Sequence, residues 1–97
     1  MRQSIIKKTS LTHGISNMAE LESKVQAKII KRYKSEGWLV VKIILCNMSG
    51  FPDLMCLKDG KVLFIEVKRK GGKPRPLQTF VHNQLESYGF EVLVLAE

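Results

Sequence analysis

The chain has 97 residues, enough for one small domain. No apolar run approaches the ~20 residues that cross a bilayer, and the basic N-terminus lacks the apolar stretch of a secretory signal, so a cytoplasmic protein with no membrane partner is expected. Lys and Arg number 16 against 9 Asp and Glu, a net charge of +7, which favours a polyanionic partner. Cys46 and Cys56 sit inside apolar runs and read as buried, reduced thiols. With only His13 and His82 besides, they do not supply the soft ligands of a structural zinc site.

Residues 1–17 show no clear period and are expected to form a flexible arm or added segment, with the domain proper spanning 18–97. Met18 to Glu36 has helical spacing, and Gly37 stands where a helix C-cap is expected. The run Trp38-Leu39-Val40-Val41-Lys42-Ile43-Ile44-Leu45-Cys46 is β-rich and nearly all apolar, so it reads as a strand buried on both faces. Asn47 to Pro52 is loop material. Asp53–Lys58 and Lys61–Lys68 are two further strands, joined by the hairpin dipeptide Asp59-Gly60. Arg69 to Arg75 is a basic, glycine-containing loop. Pro76 can open a helix over Leu77–Tyr88, Gly89 can close it, and Glu91–Ala96 is the last strand. The predicted order is α-β-β-β-α-β: an α/β fold with a central mixed sheet flanked by helices.

A two-residue turn at Asp59-Gly60 sets the register of the hairpin. Lys58 then faces Lys61, Leu57 faces Val62, Met55 faces Phe64, and Asp53 faces Glu66. Side chains alternate along a strand, so Asp53, Glu66 and Lys68 share one face. Opposed carboxylates repel, and a divalent cation with oxygen ligands is a natural compensation. The bland alternative is a surface cluster in which Lys68 merely neutralises Glu66. The first helix adds a carboxylate: Met18, Leu21, Val25, Ile29, Ile30 and Tyr33 fill one apolar arc, and Glu22 falls within it, whereas Glu20 falls on the wet side. A carboxylate in an apolar arc is costly unless paired or bound to metal, although one in a first helical turn can also escape to water.

These residues resemble the PD-(D/E)xK nucleases through Pro52-Asp53 and Glu66-Val67-Lys68, and more closely the VRR-NUC branch of that superfamily. The resemblance runs from about Met18 to Glu97. It rests on Glu22, on Gly50-Phe51-Pro52-Asp53, on Phe64-Ile65-Glu66-Val67-Lys68, and on Gln78 opening the second helix. It implies a restriction-endonuclease-like core and a Mg²⁺- or Mn²⁺-dependent endodeoxyribonuclease. Asp53, Glu66 and the backbone carbonyl of Val67 would hold the metal. Lys68 would orient and help deprotonate the attacking water, Glu22 would complete the metal or water shell, and Gln78 would position water or phosphate.

Arg69, Lys70, Lys73 and Arg75 follow the catalytic strand directly and are expected to grip DNA phosphates, against the alternative of a solvated linker. His82, one turn after Gln78, reads as an ordinary polar boundary residue. Tyr33, Trp38, Phe80 and Tyr88 read as core or interface. With no second domain to read sequence, the resemblance points to branched DNA such as Holliday junctions or flaps, cut by a two-fold homodimer. The alternatives are a non-catalytic nucleic-acid-binding module of a mobile element, or a structural or inhibitory protein of such an element. The first would be marked by loss of Asp53, Glu66 or Lys68, all of which are present; the second leaves the acidic cluster unexplained.

Overall fold

The computed structural model describes residues 14–97, with side chains from Met18 onward; the part of the expected arm that falls on residues 1–13 lies outside the described residues. The elements are α1 (Gly14–Ser35), β1 (Leu39–Lys42), β2 (Leu54–Lys58), β3 (Lys61–Lys68), α2 (Pro76–Ser87) and β4 (Glu91–Ala96). They form one four-stranded sheet in the order β1-β2-β3-β4. The first three strands are antiparallel, while β4 runs parallel to β3 after the crossover through α2. The α/β order expected from the sequence is therefore the order observed. α1 begins four residues ahead of Met18, inside the segment expected to be an arm.

The β2–β3 hairpin has the register read from its turn. Lys58 pairs with Lys61, Leu57 with Val62, Met55 with Phe64 and Leu54 with Ile65. Asp59 and Gly60 both have positive φ, 50° and 75°, the backbone sense whose twist matches that of the flanking strands. Asp53 lies one residue ahead of β2 instead of inside it. Its carbonyl nevertheless accepts the Ile43 N–H at 2.8 Å, which prolongs the β1–β2 ladder to this point.

Each face of β3 has its own cover. Ile65, Val67 and Leu63 pack with Leu54 and Cys56 against Val25 and Ile29 of α1. On the other face Phe64 meets Phe51 and Phe90 edge-on, at centroid separations of 5.4 and 5.9 Å. Full burial of side chains of this size contributes about 1.5–3 kcal/mol each, which concentrates the stability of this small domain on β3. The segment Gly50-Phe51-Pro52 leads into Asp53 and rests on the start of α2. Gly50 has φ +84°, and a Cβ there would lie 3.0–3.1 Å from Leu77 Cγ and the Leu77 carbonyl oxygen, so this loop can lie flat on the helix only with glycine at the contact.

Three expectations from the sequence are corrected. The run from Trp38 to Cys46 is not one buried strand: only Leu39–Lys42 is β, at the sheet edge, and Ile44 and Leu45 are 77% and 90% exposed. Cys46 is exposed, while Cys56 is buried as expected. Of the aromatics expected in core or interface, Phe80 and Tyr88 are exposed and so are not core, whereas Tyr33 and Trp38 are half-buried and meet edge-on against the core. The common reason is that apolar spacing identifies which residues share a face but not whether another layer lies over it. No helix among the described residues is long and apolar enough to cross a membrane.

Candidate active site

The hairpin brings Asp53 and Glu66 together at one end of the sheet, where the two helix-covered faces meet. Asp53 Oδ2 accepts the Val67 N–H at 2.8 Å, which pins its carboxylate across the end of β3. Glu66 is 1% exposed. Its Oε2 accepts from Gln78 Nε2 at 3.1 Å and lies 3.8 Å from Lys68 Nζ, while its Oε1 lies 3.4 Å from His82 Nε2. Lys68, Gln78 and His82 are themselves buried. The Gln78 side chain works in two directions, because its Oε1 also accepts the Arg75 N–H at 2.8 Å and so ties down the first turn of α2.

This environment holds the Glu66 carboxyl well above its ordinary range, at about 8. Burial is the largest cause and the Asp53 charge the next, while Lys68 pulls the other way. A side-chain hydrogen bond with Asp53 and the more distant charge of Glu22 raise it further. His82 is shifted below its usual value, chiefly by burial.

A buried carboxyl that retains its proton near neutrality, set against a half-buried carboxylate that opens onto a cleft, forms a site short of positive charge. Asp53 and Glu66 offer only oxygen, the donor chemistry that suits a hard divalent cation such as Mg²⁺ or Mn²⁺. The residues fit such an ion as an open platform and not as a closed cage: among the described residues no three His, Cys, Asp or Glu side chains converge on one point. Glu22 lies across a cleft lined also by Gln26, Lys42, Asp53 and Val67, so the helical-wheel reading places it at the site but outside direct contact with Glu66.

Sequence reasoning missed the place of His82, read as a boundary residue and found buried against Glu66. The signal was its position four residues after Gln78, one turn along the same face of α2. Three of the four basic loop residues stand beside the cleft. Lys68, Arg69, Lys73 and Arg75 line one recess together with Glu22. The loop is also internally braced, the Gly72 N–H bonding the Arg69 carbonyl at 2.8 Å and the Lys70 N–H the Glu97 carbonyl at 3.1 Å.

No family model matches the chain. The protein named Putative nuclease p44, from Acyrthosiphon pisum secondary endosymbiont phage 1, is 32% identical over 75 residues, spanning 76% of this chain and 81% of that protein. A solved structure described as a VRR_NUC domain superposes with a TM-score of 0.70 at 33% identity, covering 78% of this chain and 84% of the other. Likeness of sequence and of fold thus extend over most of both molecules in each comparison, and the chain belongs to the VRR_NUC family.

Proposed function

We propose that the protein is a divalent-metal-dependent endodeoxyribonuclease that hydrolyses phosphodiester bonds at the Asp53–Glu66–Lys68 cluster. The observation that carries this reading is the buried Glu66 carboxyl, pushed up to about 8 against Asp53 with Lys68 beside it. Such crowding is costly in a purely structural element, and perturbed acids in a cleft mark sites of chemistry. The family relative described as a nuclease supports the same conclusion.

Asp53 and Glu66, with the Val67 carbonyl, would hold Mg²⁺ or Mn²⁺. When bound, such an ion lowers the pKa of water and polarises the phosphoryl oxygens. Lys68 orients the attacking water through Nζ and helps remove its proton. Gln78 keeps Glu66 aimed along the strand end and positions water or phosphate. Glu22 faces the same cleft and completes the metal or water shell. Arg69, Lys70, Lys73 and Arg75 hold the DNA backbone beside the cut. In-line displacement then depends on positioning and on charge placed against the transition state.

The substrate we infer is branched DNA, such as a four-way junction or flap, cut by a homodimer that presents two sites related by a two-fold axis. The test is incubation of pure protein with labelled linear, flap and four-way DNA in Mn²⁺ and in chelator, with light scattering at micromolar concentration. Metal-dependent cutting that favours the branched substrates, by a dimeric species, is expected. Cutting that survives chelator rejects the metal mechanism, equal cutting of all three substrates rejects the preference for branches, and a monomer rejects the paired sites.

A further inference from the structure

Ile44 and Leu45 are strongly exposed aliphatic side chains, and they stand beside a catalytic carboxylate. The Ile43 N–H bonds the Asp53 carbonyl, so the chain leaves the sheet at the active site and carries Ile44, Leu45 and Met48 outward from it. One cleft of about 290 Å³ is lined by Ile44, Leu45 and Met48 together with Asp53, Gln78 and Arg75. That volume is at the small end for a ligand site, suited to a single base and not to a base pair. Lys42 borders the adjoining recess that also reaches Asp53.

We propose that Ile44 and Leu45 form an apolar wedge that takes an unstacked nucleobase next to the scissile phosphate; this rests on the nuclease reading of the same cleft. Aliphatic side chains of this kind insert between base steps and offset the cost of unstacking. Arg75 and Lys42 supply the charge that a phosphate backbone needs on either side. A second copy of the chain is a poor occupant. Once seated there it would cover Asp53 and Gln78, which the proposed cleavage needs open. The wedge also gives a physical origin for a preference for branches, where bases are already unpaired and the unstacking cost is small.

The test uses the full-length protein and a duplex with 2-aminopurine at the step mapped as the cut site in Mn²⁺. Binding is followed in Ca²⁺, and cleavage in Mn²⁺. Wild-type protein should brighten the probe on binding, and Ile44→Ser/Leu45→Ser should leave it dark. The variant should cut fully paired DNA about tenfold more slowly, because the substrate alone then bears the unstacking cost. It should return to within about twofold of wild type on the same sequence mismatched at that step. Equal loss on paired and mismatched DNA would overturn the wedge. So would conversion of a wild-type dimer into a monomer by the substitutions, which would make the patch a subunit contact. Wild-type protein that cuts DNA without brightening the probe defeats the wedge and leaves the nuclease reading intact. If no metal supports cutting, 2-aminopurine scanned step by step through the duplex that brightens in Ca²⁺ with wild-type protein and stays dark with the variant preserves the wedge as a binding device and defeats the nuclease reading.

Discussion

Strand β3 and the stretch from Leu39 to Met48 draw on the same aliphatic vocabulary, and the fold treats them in opposite ways. β3 lies between β2 and β4, with α1 over one face and aromatic side chains packed on the other. The earlier stretch supplies four residues to the edge of the sheet and then runs into solvent. Similar hydrophobicity therefore yields stability in one place and, beside Asp53, an exposed apolar surface in the other. Position within the layers, and not composition, assigns the role.

The comparison breaks first, and by the largest effect, on activity. Asp53→Ala, Glu66→Ala and Lys68→Ala should each lower Mn²⁺-dependent cleavage by about 10²–10³-fold or more, with the folded signal retained. Glu22→Ala should also impair cutting, whereas Glu20→Ala should be close to silent. A variant of the central three with near-wild-type turnover would remove that residue from the site.

Stability should separate the two regions next. Ile65→Ala, in the fully buried part of β3, should cost about 2–5 kcal/mol in denaturant unfolding. Leu45→Ala should stay within about 0.5 kcal/mol of wild type. A substantial destabilisation at Leu45 would show that the exposed stretch is packed against something in solution.

Glu66 sharpens the contrast inside β3 itself. Its folded pKa of about 8 lies above the ordinary 4.5, so its protonated form stabilises the fold at low pH, and that contribution is lost as pH rises through this window. Glu66→Gln should therefore raise the melting temperature of the chelated protein more at pH 8 than at pH 5. A gain that does not grow with pH would mean that Glu66 is ionised in the folded protein without penalty. The smallest effect concerns the basic loop: Lys70→Ala/Lys73→Ala should weaken DNA binding in Ca²⁺ at every sequence alike and flatten the slope of log affinity against log salt by ~2. An unchanged slope would falsify phosphate contact by these lysines.

What was legible in the sequence was what the chain determines locally. Asp59-Gly60 fixed a turn, the turn fixed a register, and the register brought Asp53 to Glu66 with no knowledge of the rest of the fold. Gly89 and Pro76 bounded α2 within a residue, and β4 fell at its predicted ends. The misreadings share a different origin. Whether Ile44 or Cys46 is covered depends on the location of α1 and α2 in space, and the burial of His82 depends on how α2 is rotated against β3. Those are long-range facts, and an apolar count in one dimension does not contain them. Gln78 came from the family resemblance, and its double bond to Arg75 and Glu66 became apparent only with the helix in place.

That double bond has a consequence for the order in which the molecule becomes competent. The hairpin is local and can close early, whereas Gln78 and His82 reach Glu66 only after α2 docks. The amide that steadies the carboxylate is the same one that caps the helix start, so aiming the acid and seating the helix are a single event. A chain that has folded its hairpin alone already has Asp53 tied to the Val67 N–H, while Glu66 still lacks the amide and the imidazole that hold it in the complete fold. Under the proposed function, the site is therefore complete only once the last layer of the fold is in place.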